Sequence, residues 1–271
     1  MPPHIRKHEA PAKVLYVTSF ARDMYEASGE RLISSFASKG VPGKILCFVE
    51  GFDLPKKTNR VIERRLDGDP ILDSWLVANL DVIPTHLGGR HEGCQCPGGP
   101  LDVHSKMHSQ PCVGYWFNRN ASRWFRKVVA LYRAMDQAAD VLVWLDSDCF
   151  FKKKLPEEQV ARTFKSRAVF YMQSRRRKVL ESGIMGFFLD RGGRRFIELT
   201  LDRYRSGEFR KHPRWDDCYQ WQLTRDKHKD IPSTDIATRA SGHADVARHS
   251  TLKDFLEHDK GRHGRGLGLM K

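Results

Sequence analysis

Two carboxylates with one residue between them follow an unbroken apolar stretch in the middle of the chain. The stretch is Val141–Leu145, and Asp146 and Asp148 come directly after it. A short continuous apolar stretch of this kind predicts a strand buried on both faces of a mostly parallel sheet. Ligands of open α/β sheets bind at the carboxyl ends of such strands. Two carboxylates placed there can reach one hard cation, and Mg²⁺ or Mn²⁺ held in this way keeps open positions for phosphate oxygens.

The elements that position these acids are indicated by the first fifty residues. Residues 13–20 and 44–49 predict strands, and residues 27–39 predict the helix between them, closed by Gly40. A strand, a helix and a strand in this order predict a parallel pair with a right-handed crossover. A Gly-x-Gly-x-x-Gly motif does not follow the first strand, which disfavours a dinucleotide-binding unit.

Two predicted helices bring charged residues towards the same region. The helix at 118–138, capped by Asn120 or Ser122, runs directly into the strand that carries the acids, so its basic residues could lie close to whatever those acids hold. A solvated basic face is the alternative for each of them. A second helix, at 214–223, begins with Asp216 and Asp217, whose structural alternative is to complement the helix dipole.

A long loop at 84–118 is rich in glycine, proline, histidine and cysteine. Its possible soft and imidazole ligands are His86, His91, Cys94, Cys96, His104, His108 and Cys112. A zinc site remains open, but Cys-x-Cys without a second matching pair is not a standard structural spacing, and a surface loop over the substrate region is favoured. Residues 1–12 predict a mobile N-terminus, and residues 13–271 predict a single domain.

The composition fits a soluble globular protein with anionic partners. Lys and Arg number 47 against 33 Asp and Glu, a formal net charge of +14. That excess favours nucleotides, nucleic acid or anionic lipid surfaces, although no zinc-finger, RRM or KH signature supports a nucleic-acid binder. The sequence contains neither a membrane-spanning apolar stretch nor the apolar core of a secretory signal, so we expect a cytoplasmic protein. The six scattered cysteines do not form a disulfide framework, and we expect Cys47 and Cys149 to be reduced.

Four short motifs, in their order along the chain, resemble the GT-A class of nucleotide-sugar-dependent glycosyltransferases. They are Leu-Asp-Ser-Asp148, Glu-Ser-Gly183 before a strand, Trp-Asp-Asp217 opening a helix, and His258-x-Lys-Gly261 near the end. The chain is similar to a small set of these enzymes found in phages, bacteria and large algal viruses, with Glu257 where that set has aspartate. The resemblance covers most of the chain, from residue 13 to the tail, and implies one Rossmann-like α/β domain with a mostly parallel central sheet flanked by helices.

The resemblance also implies a role for each matching residue at the metal and the donor. Asp148 would be the principal ligand of Mn²⁺ or Mg²⁺, Asp146 would contact the ribose or the metal through water, and His258 would complete the metal shell. The expected contacts to the nucleotide and diphosphate are Thr18, Ser19, Phe20, Arg123, Lys127, Asp146, Lys260 and Arg262. Neutral imidazole is a good ligand for Mn²⁺, and lysine and arginine suit a diphosphate as a point charge and a bidentate clamp.

The resemblance also implies a general base and sugar contacts on the acceptor side of the site. Asp217 matches the position of the carboxylate that deprotonates the acceptor hydroxyl in an inverting transfer, and Asp216 is its rival. The expected contacts to the acceptor or the donor sugar are Glu181, Ser182, Gly183 and Trp215. Without such a carboxylate on the acceptor face, a retaining route or another base would apply.

The sequence therefore favours a metal-dependent, inverting hexosyl- or pentosyltransferase that moves a sugar from a UDP-sugar to a glycan acceptor. A nucleotidyltransferase of related fold is one alternative, but the segment after residue 17 lacks the glycines of its phosphate loop. A basic, non-catalytic nucleic-acid-binding protein is the other. Steeply salt-dependent binding to random DNA that survives Asp148→Ala would support that second alternative.

Overall fold

A computed structural model of the protein describes residues 12–83, 119–173, 180–238 and 247–259. Seven strands form the central sheet, in the order β3-β2-β1-β4-β7-β6-β8. Their bounds are β1 Val14–Ala21, β2 Lys44–Glu50, β3 Val61–Arg65, β4 Val141–Leu145, β6 Val169–Gln173, β7 Leu180–Phe188 and β8 Ser233–Asp235. Several predictions concern residues outside these ranges. They are the mobile N-terminus at 1–12, of which residue 12 alone is described, the loop 84–118 with its possible zinc ligands, and the two basic residues Lys260 and Arg262.

Six of these strands run in one direction and β7 runs in the other. Strand β7 pairs antiparallel with both β4 and β6, whereas the remaining pairs in this sheet are parallel. The carboxyl ends of six strands and the amino end of β7 therefore meet along one side of the sheet, here called the carboxyl edge. The predicted α/β fold with a mostly parallel central sheet is confirmed, and β4 is buried along its whole length as predicted.

Helices cover both faces of the sheet. The α-helices are α1 Arg22–Met24, α2 Glu30–Ser38, α3 Pro70–Ala78, α4 Ala121–Ala134, α5 Glu157–Thr163, α6 Gly193–Arg205 and α7 Asp217–Lys227. Strand alternation separates two cores, because Leu15 and Val17 of β1 face α3, α4, α6 and α7, while Val14 and Tyr16 face α2 and α5. Burying each large apolar side chain contributes about 1.5–3 kcal/mol, so the two cores hold the sheet edge in place.

Helix α4 brings its amino end to the carboxyl edge. Its predicted cap is confirmed, because the Asn120 side-chain oxygen accepts a hydrogen bond of 3.0 Å from the Arg123 N–H. The helix is shorter than the predicted 118–138 and leads back to the amino end of β4, where Asp140 N–H donates to the Lys13 carbonyl. Residues of the first two turns of α4 consequently lie close to the acids that follow β4.

A second, two-stranded sheet joins the chain's tail to the segment after β4. Strands β5 (Cys149–Phe151) and β9 (Leu256–His258) pair antiparallel, with Cys149 opposite His258. Leu256 is buried and anchors β9 in the core shared with α2. Sequence patterns did not predict this pairing. None of the helices in the described ranges has the length and apolar character that a membrane span requires.

Candidate active site

Asp146, Ser147 and Asp148 form the turn between β4 and β5. The Asp146 N–H donates to the Gly183 carbonyl at 2.9 Å, and the Cys149 N–H donates to the Asp146 carbonyl at 2.9 Å. The Ser147 hydroxyl lies 3.1 Å from the hydroxyl of Ser28, which belongs to a π-helical turn after β1. Backbone and hydroxyl contacts therefore fix the turn, and the two carboxylates remain about one-third exposed.

His258, the expected third metal ligand, lies against these carboxylates. Its Nε2 is 3.0 Å from Asp148 Oδ1 and 4.0 Å from Asp146 Oδ2. The imidazole is buried and occupies the space beside Gly183, where a Cβ atom would lie 2.2 Å from His258 Cε1. The sequence analysis placed Glu181, Ser182 and Gly183 before a strand, but these residues already belong to β7, since Glu181 pairs with Met172 of β6. Glycine at position 183 leaves room for the imidazole of His258.

The separations of the Asp146 and Asp148 carboxylates from His258 Nε2 are compatible with one octahedral cation. Around an ion bound at about 2.1 Å, adjacent ligand atoms lie about 3 Å apart and opposite ones about 4.2 Å apart. The separations of 3.0 and 4.0 Å from His258 Nε2 match those two values. Carboxylates with one imidazole suit Mn²⁺, and they also accept Mg²⁺.

The thiol of Cys149 lies close enough to Asp148 and His258 to be considered as a ligand. Burial, together with the neighbouring carboxylates, raises the pKa of this thiol well above its usual range, and its Sγ donates to the Gly183 carbonyl. Hard divalent cations prefer oxygen and imidazole donors to sulfur, which disfavours Cys149 as a ligand. Cys47 is likewise a buried free thiol, as predicted for both residues.

Lys127 joins the metal-side acid to the opposite wall of the site. Its Nζ lies 3.0 Å from Asp146 Oδ1, 2.7 Å from the Ser182 carbonyl and 2.7 Å from Asp217 Oδ2. Burial lowers the pKa of this ammonium group, but the charges of Asp146 and Asp217 outweigh burial and leave the pKa above its ordinary value. The predicted contact of Lys127 with a phosphate or the donor sugar stays a prediction, and in this structure its ammonium group contacts the protein's own acids.

Asp217 is buried at the start of α7 and accepts three hydrogen bonds or ion-pair contacts. Ser182 Oγ donates to its Oδ2 at 2.6 Å, Lys127 contacts the same oxygen, and the Cys218 N–H donates to Oδ1 at 2.8 Å. Both oxygens are therefore engaged. To act as a base, Asp217 must exchange one of these donors for the acceptor hydroxyl.

Asp216 has the contacts of a helix cap. It accepts from the Tyr219 N–H and receives two bonds of 2.8 Å from the Arg214 guanidinium. Burial raises the pKa of the Asp216 carboxyl even though Arg214 opposes this effect. Asp216, Asp217 and Cys218 are close enough to be considered as a second metal site, but Arg214 and Lys127 already neutralise its carboxylates.

The residues predicted to receive the nucleotide lie at the end of β1. Thr18 is fully buried, Ser19 is half-buried, and the Phe20 ring packs in the core against Tyr25, with 5.5 Å between ring centroids. Arg123 is exposed on the first turn of α4 with its guanidinium over Trp124. Their contact with a nucleotide stays a prediction.

The other predicted residues line the region between β7 and α7. Glu181 is half-buried next to Ser182 on β7. Trp215 is held by its own Nε1–H, which donates to the His212 carbonyl at 3.1 Å, and by its carbonyl, which accepts from Tyr204. Contacts of Glu181 and Trp215 to a sugar stay predictions.

Sequence reasoning missed three residues that organise the site. Trp144 Nε1–H donates to Asp146 Oδ1 at 2.6 Å, Ser28 contacts Ser147, and Arg31 pairs with Asp259 at 2.9 Å. Arg31 also lies over the Phe150 ring, 3.5 Å from its centroid, and so ties α2 to both β5 and the end of β9. Trp144 could have been found from its place two residues before Asp146, on the same face of an extended strand. No local pattern marks Ser28 or Arg31.

No protein-family model matches this chain, and no curated protein matches it. Among solved structures, the apo form of mouse xyloside xylosyltransferase 1 is similar, with a TM-score of 0.47 and 10% sequence identity. The similarity covers 83% of this chain and 85% of that chain.

Proposed function

We propose that the protein is a metal-dependent glycosyltransferase that moves a sugar from a nucleotide-sugar to a hydroxyl group of a glycan acceptor. One observation carries the proposal: four motifs that are far apart in sequence meet at the carboxyl edge. Asp148 contacts His258, Asp146 is bonded through its backbone to Gly183, and Ser182 donates to Asp217. A shared site explains why these four segments occur together in one chain.

The metal would be Mn²⁺, with Mg²⁺ as the alternative, held by Asp148, His258 and the Oδ2 side of Asp146. The ligand separations and the imidazole in the set support this assignment. When bound, a divalent cation there stabilises the negative charge that develops on the leaving diphosphate.

The donor would lie with its diphosphate near the end of β9 and its base near residues 18–20. The Asp259 N–H donates to the Asp148 carbonyl at 3.0 Å, so the chain leaves β9 beside the metal ligands and continues into Lys260 and Arg262. This connection supports the assignment of those two cations to the diphosphate. UDP is our proposed nucleotide by resemblance to metal-dependent GT-A enzymes, with Arg123 as a further cation on α4.

The transfer needs a carboxylate on the acceptor side. The bond between the anomeric carbon and the diphosphate oxygen breaks, the acceptor oxygen bonds to that carbon, and the acceptor proton moves to the base. We propose Asp217 as this base in an inverting reaction, with the acceptor hydroxyl replacing Ser182 Oγ at Asp217 Oδ2. Glu181, half-buried on the neighbouring strand, is the alternative carboxylate. Asp216 is disfavoured because Arg214 and the backbone of α7 occupy it.

A panel of nucleotide-sugars tests the proposal. Each donor is titrated calorimetrically with Mn²⁺ and then with EDTA, and release of free nucleotide is measured without acceptor. We expect one donor to bind and to be slowly hydrolysed only with metal, and Asp148→Ala to abolish both. Asp136→Ala, which removes an exposed acid at the far end of α4, is the matched control and should behave as the unsubstituted protein. Failure of every donor to bind with metal present would refute the proposal.

A further inference from the structure

Every hydrogen of the Lys127 ammonium group is committed inside the protein. An ammonium carries three donors, and here they face Asp146 Oδ1, the Ser182 carbonyl and Asp217 Oδ2 at 3.0, 2.7 and 2.7 Å. The Lys127 side chain is only 5% exposed. No donor remains for a phosphate or a sugar unless an internal contact breaks.

The contact with Asp146 decides which oxygen of that acid faces the candidate metal. Asp146 Oδ1 accepts from both Lys127 and Trp144 Nε1–H, at 3.0 and 2.6 Å. These two donors turn the carboxylate so that Oδ2 points towards His258. Groups that orient a metal ligand from outside its first coordination shell fix its position and tune its affinity for the ion.

The same Nζ atom of Lys127 also contacts Asp217, the first residue of α7. Asp217 occupies the first position of that helix and is itself held by Ser182 Oγ and the Cys218 N–H. The ammonium group therefore contacts a fixed carboxylate at the start of α7 as well as Asp146, which follows β4.

We propose that Lys127 is a positioning residue that ties Asp146 to Asp217 and thereby orients Asp146 for the divalent cation, and that it is not a ligand of the substrate. The inference rests on the proposed function, because it concerns the same metal site. Loss of such an outer partner lowers metal affinity by about 10–100-fold.

Lys127→Met alone is a poor test, because it leaves Asp217 as a buried charge without a counter-ion, which is strongly destabilising. The double variant Lys127→Met/Asp217→Asn removes one positive and one negative charge and leaves no buried ion unpaired. Simple charge attraction predicts equal or tighter Mn²⁺ binding in the double variant, because the lost cation is the one in contact with Asp146. A phosphate-binding role for Lys127 predicts no change when Mn²⁺ is the only ligand.

The experiment titrates Mn²⁺ alone, by electron paramagnetic resonance, into the intact protein and into the double variant, with thermal unfolding to confirm folding. We expect the dissociation constant to rise about 10–100-fold. The matched control is Arg126→Met/Glu50→Gln, which removes the 2.7 Å ion pair of the preceding residue on α4 without touching Asp146. Its affinity for Mn²⁺ should be unchanged.

The outcomes separate this inference from the proposed function. If the intact protein binds Mn²⁺, Asp148→Ala abolishes binding and the folded double variant binds as tightly as the intact protein, the positioning role is overturned and the metal site stands. If the intact protein binds no Mn²⁺, or if Asp148→Ala binds it equally well, the proposed metal site and this inference fail together.

Discussion

Gly183→Ala isolates the contribution of His258 to the candidate metal centre without removing any ligand. The added Cβ would lie 2.2 Å from His258 Cε1 and 2.6 Å from Nδ1. Since real Cβ atoms essentially never come closer than 3.0 Å to another heavy atom, the imidazole must move by roughly 0.8 Å or more. Metal–ligand distances tolerate only about 0.2 Å. We therefore expect Nε2 to leave the metal position while Asp146 and Asp148 remain where they are.

The expected loss of Mn²⁺ affinity is at least the roughly 10–100-fold that follows the loss of an outer partner. Overpacking of a well-filled site also costs about 1–3 kcal/mol of folding stability. That cost corresponds to a fall in Tm of roughly 2–10 °C for a domain of this size. The affinity is measured by Mn²⁺ titration, and Tm by circular dichroism.

The same strand offers a matched control in Gly186→Ala. A Cβ there would lie 2.0 Å from Phe170 Cε1, a clash of similar severity, but in the apolar core and away from the acids. We expect Gly186→Ala to lower Tm and to leave the Mn²⁺ affinity of the folded protein unchanged. Equal Mn²⁺ affinity in Gly183→Ala and the unsubstituted protein would refute the assignment of His258 as a ligand.

Two further predictions concern stability. Burial and, next, the neighbouring Arg203 lower the pKa of His212 below its usual 6.5. The unfolded chain therefore takes up a proton at His212 more readily than the folded protein, and the free energy of unfolding should fall as the pH drops below about 6.5. Denaturant unfolding between pH 5 and 8 should show a flatter pH profile for His212→Gln, and a profile equal to that of the unsubstituted protein would contradict this. Lys165 adopts a left-handed conformation with φ of 49° at the end of α5, which costs a residue with a side chain about 1–2 kcal/mol. Lys165→Gly should therefore raise the free energy of unfolding by up to about 1 kcal/mol, since the greater entropy of glycine in the unfolded chain offsets part of the gain. A lower Tm for this variant would show that the turn is not strained.

The sequence predicted those parts of the fold that local patterns encode. Strand β4, Val141–Leu145, is continuously apolar because both of its faces are covered. Asn120 is a helix cap because its side-chain oxygen accepts a hydrogen bond from the backbone N–H of Arg123, three residues later. The first parallel pair followed from a strand, a helix and a strand in direct succession. These signals depend on neighbours in sequence, so they are visible without coordinates.

The missing parts depend on contacts between distant residues. Strands of three residues, such as β5 and β9, are too short to show a period, so their pairing could not be predicted. The positions of Asp148 and His258 were linked only by the resemblance of their motifs. Lys127 looked like one of several basic residues on α4, because nothing local distinguishes a buried cation with three acceptors from an exposed one.

The pairing of β5 with β9 has a consequence for how the protein matures. Cys149 and His258 are more than a hundred positions apart, so their pairing closes a long loop at an entropic cost. A chain in which β9 is undocked would carry Asp146 and Asp148 without His258. An ion that requires all three groups stabilises only the docked state, by RT ln(1 + c/Kd), where c is the concentration of the ion, so the stabilisation grows with the logarithm of that concentration. Divalent metal at the proposed site would therefore favour chains with a docked tail.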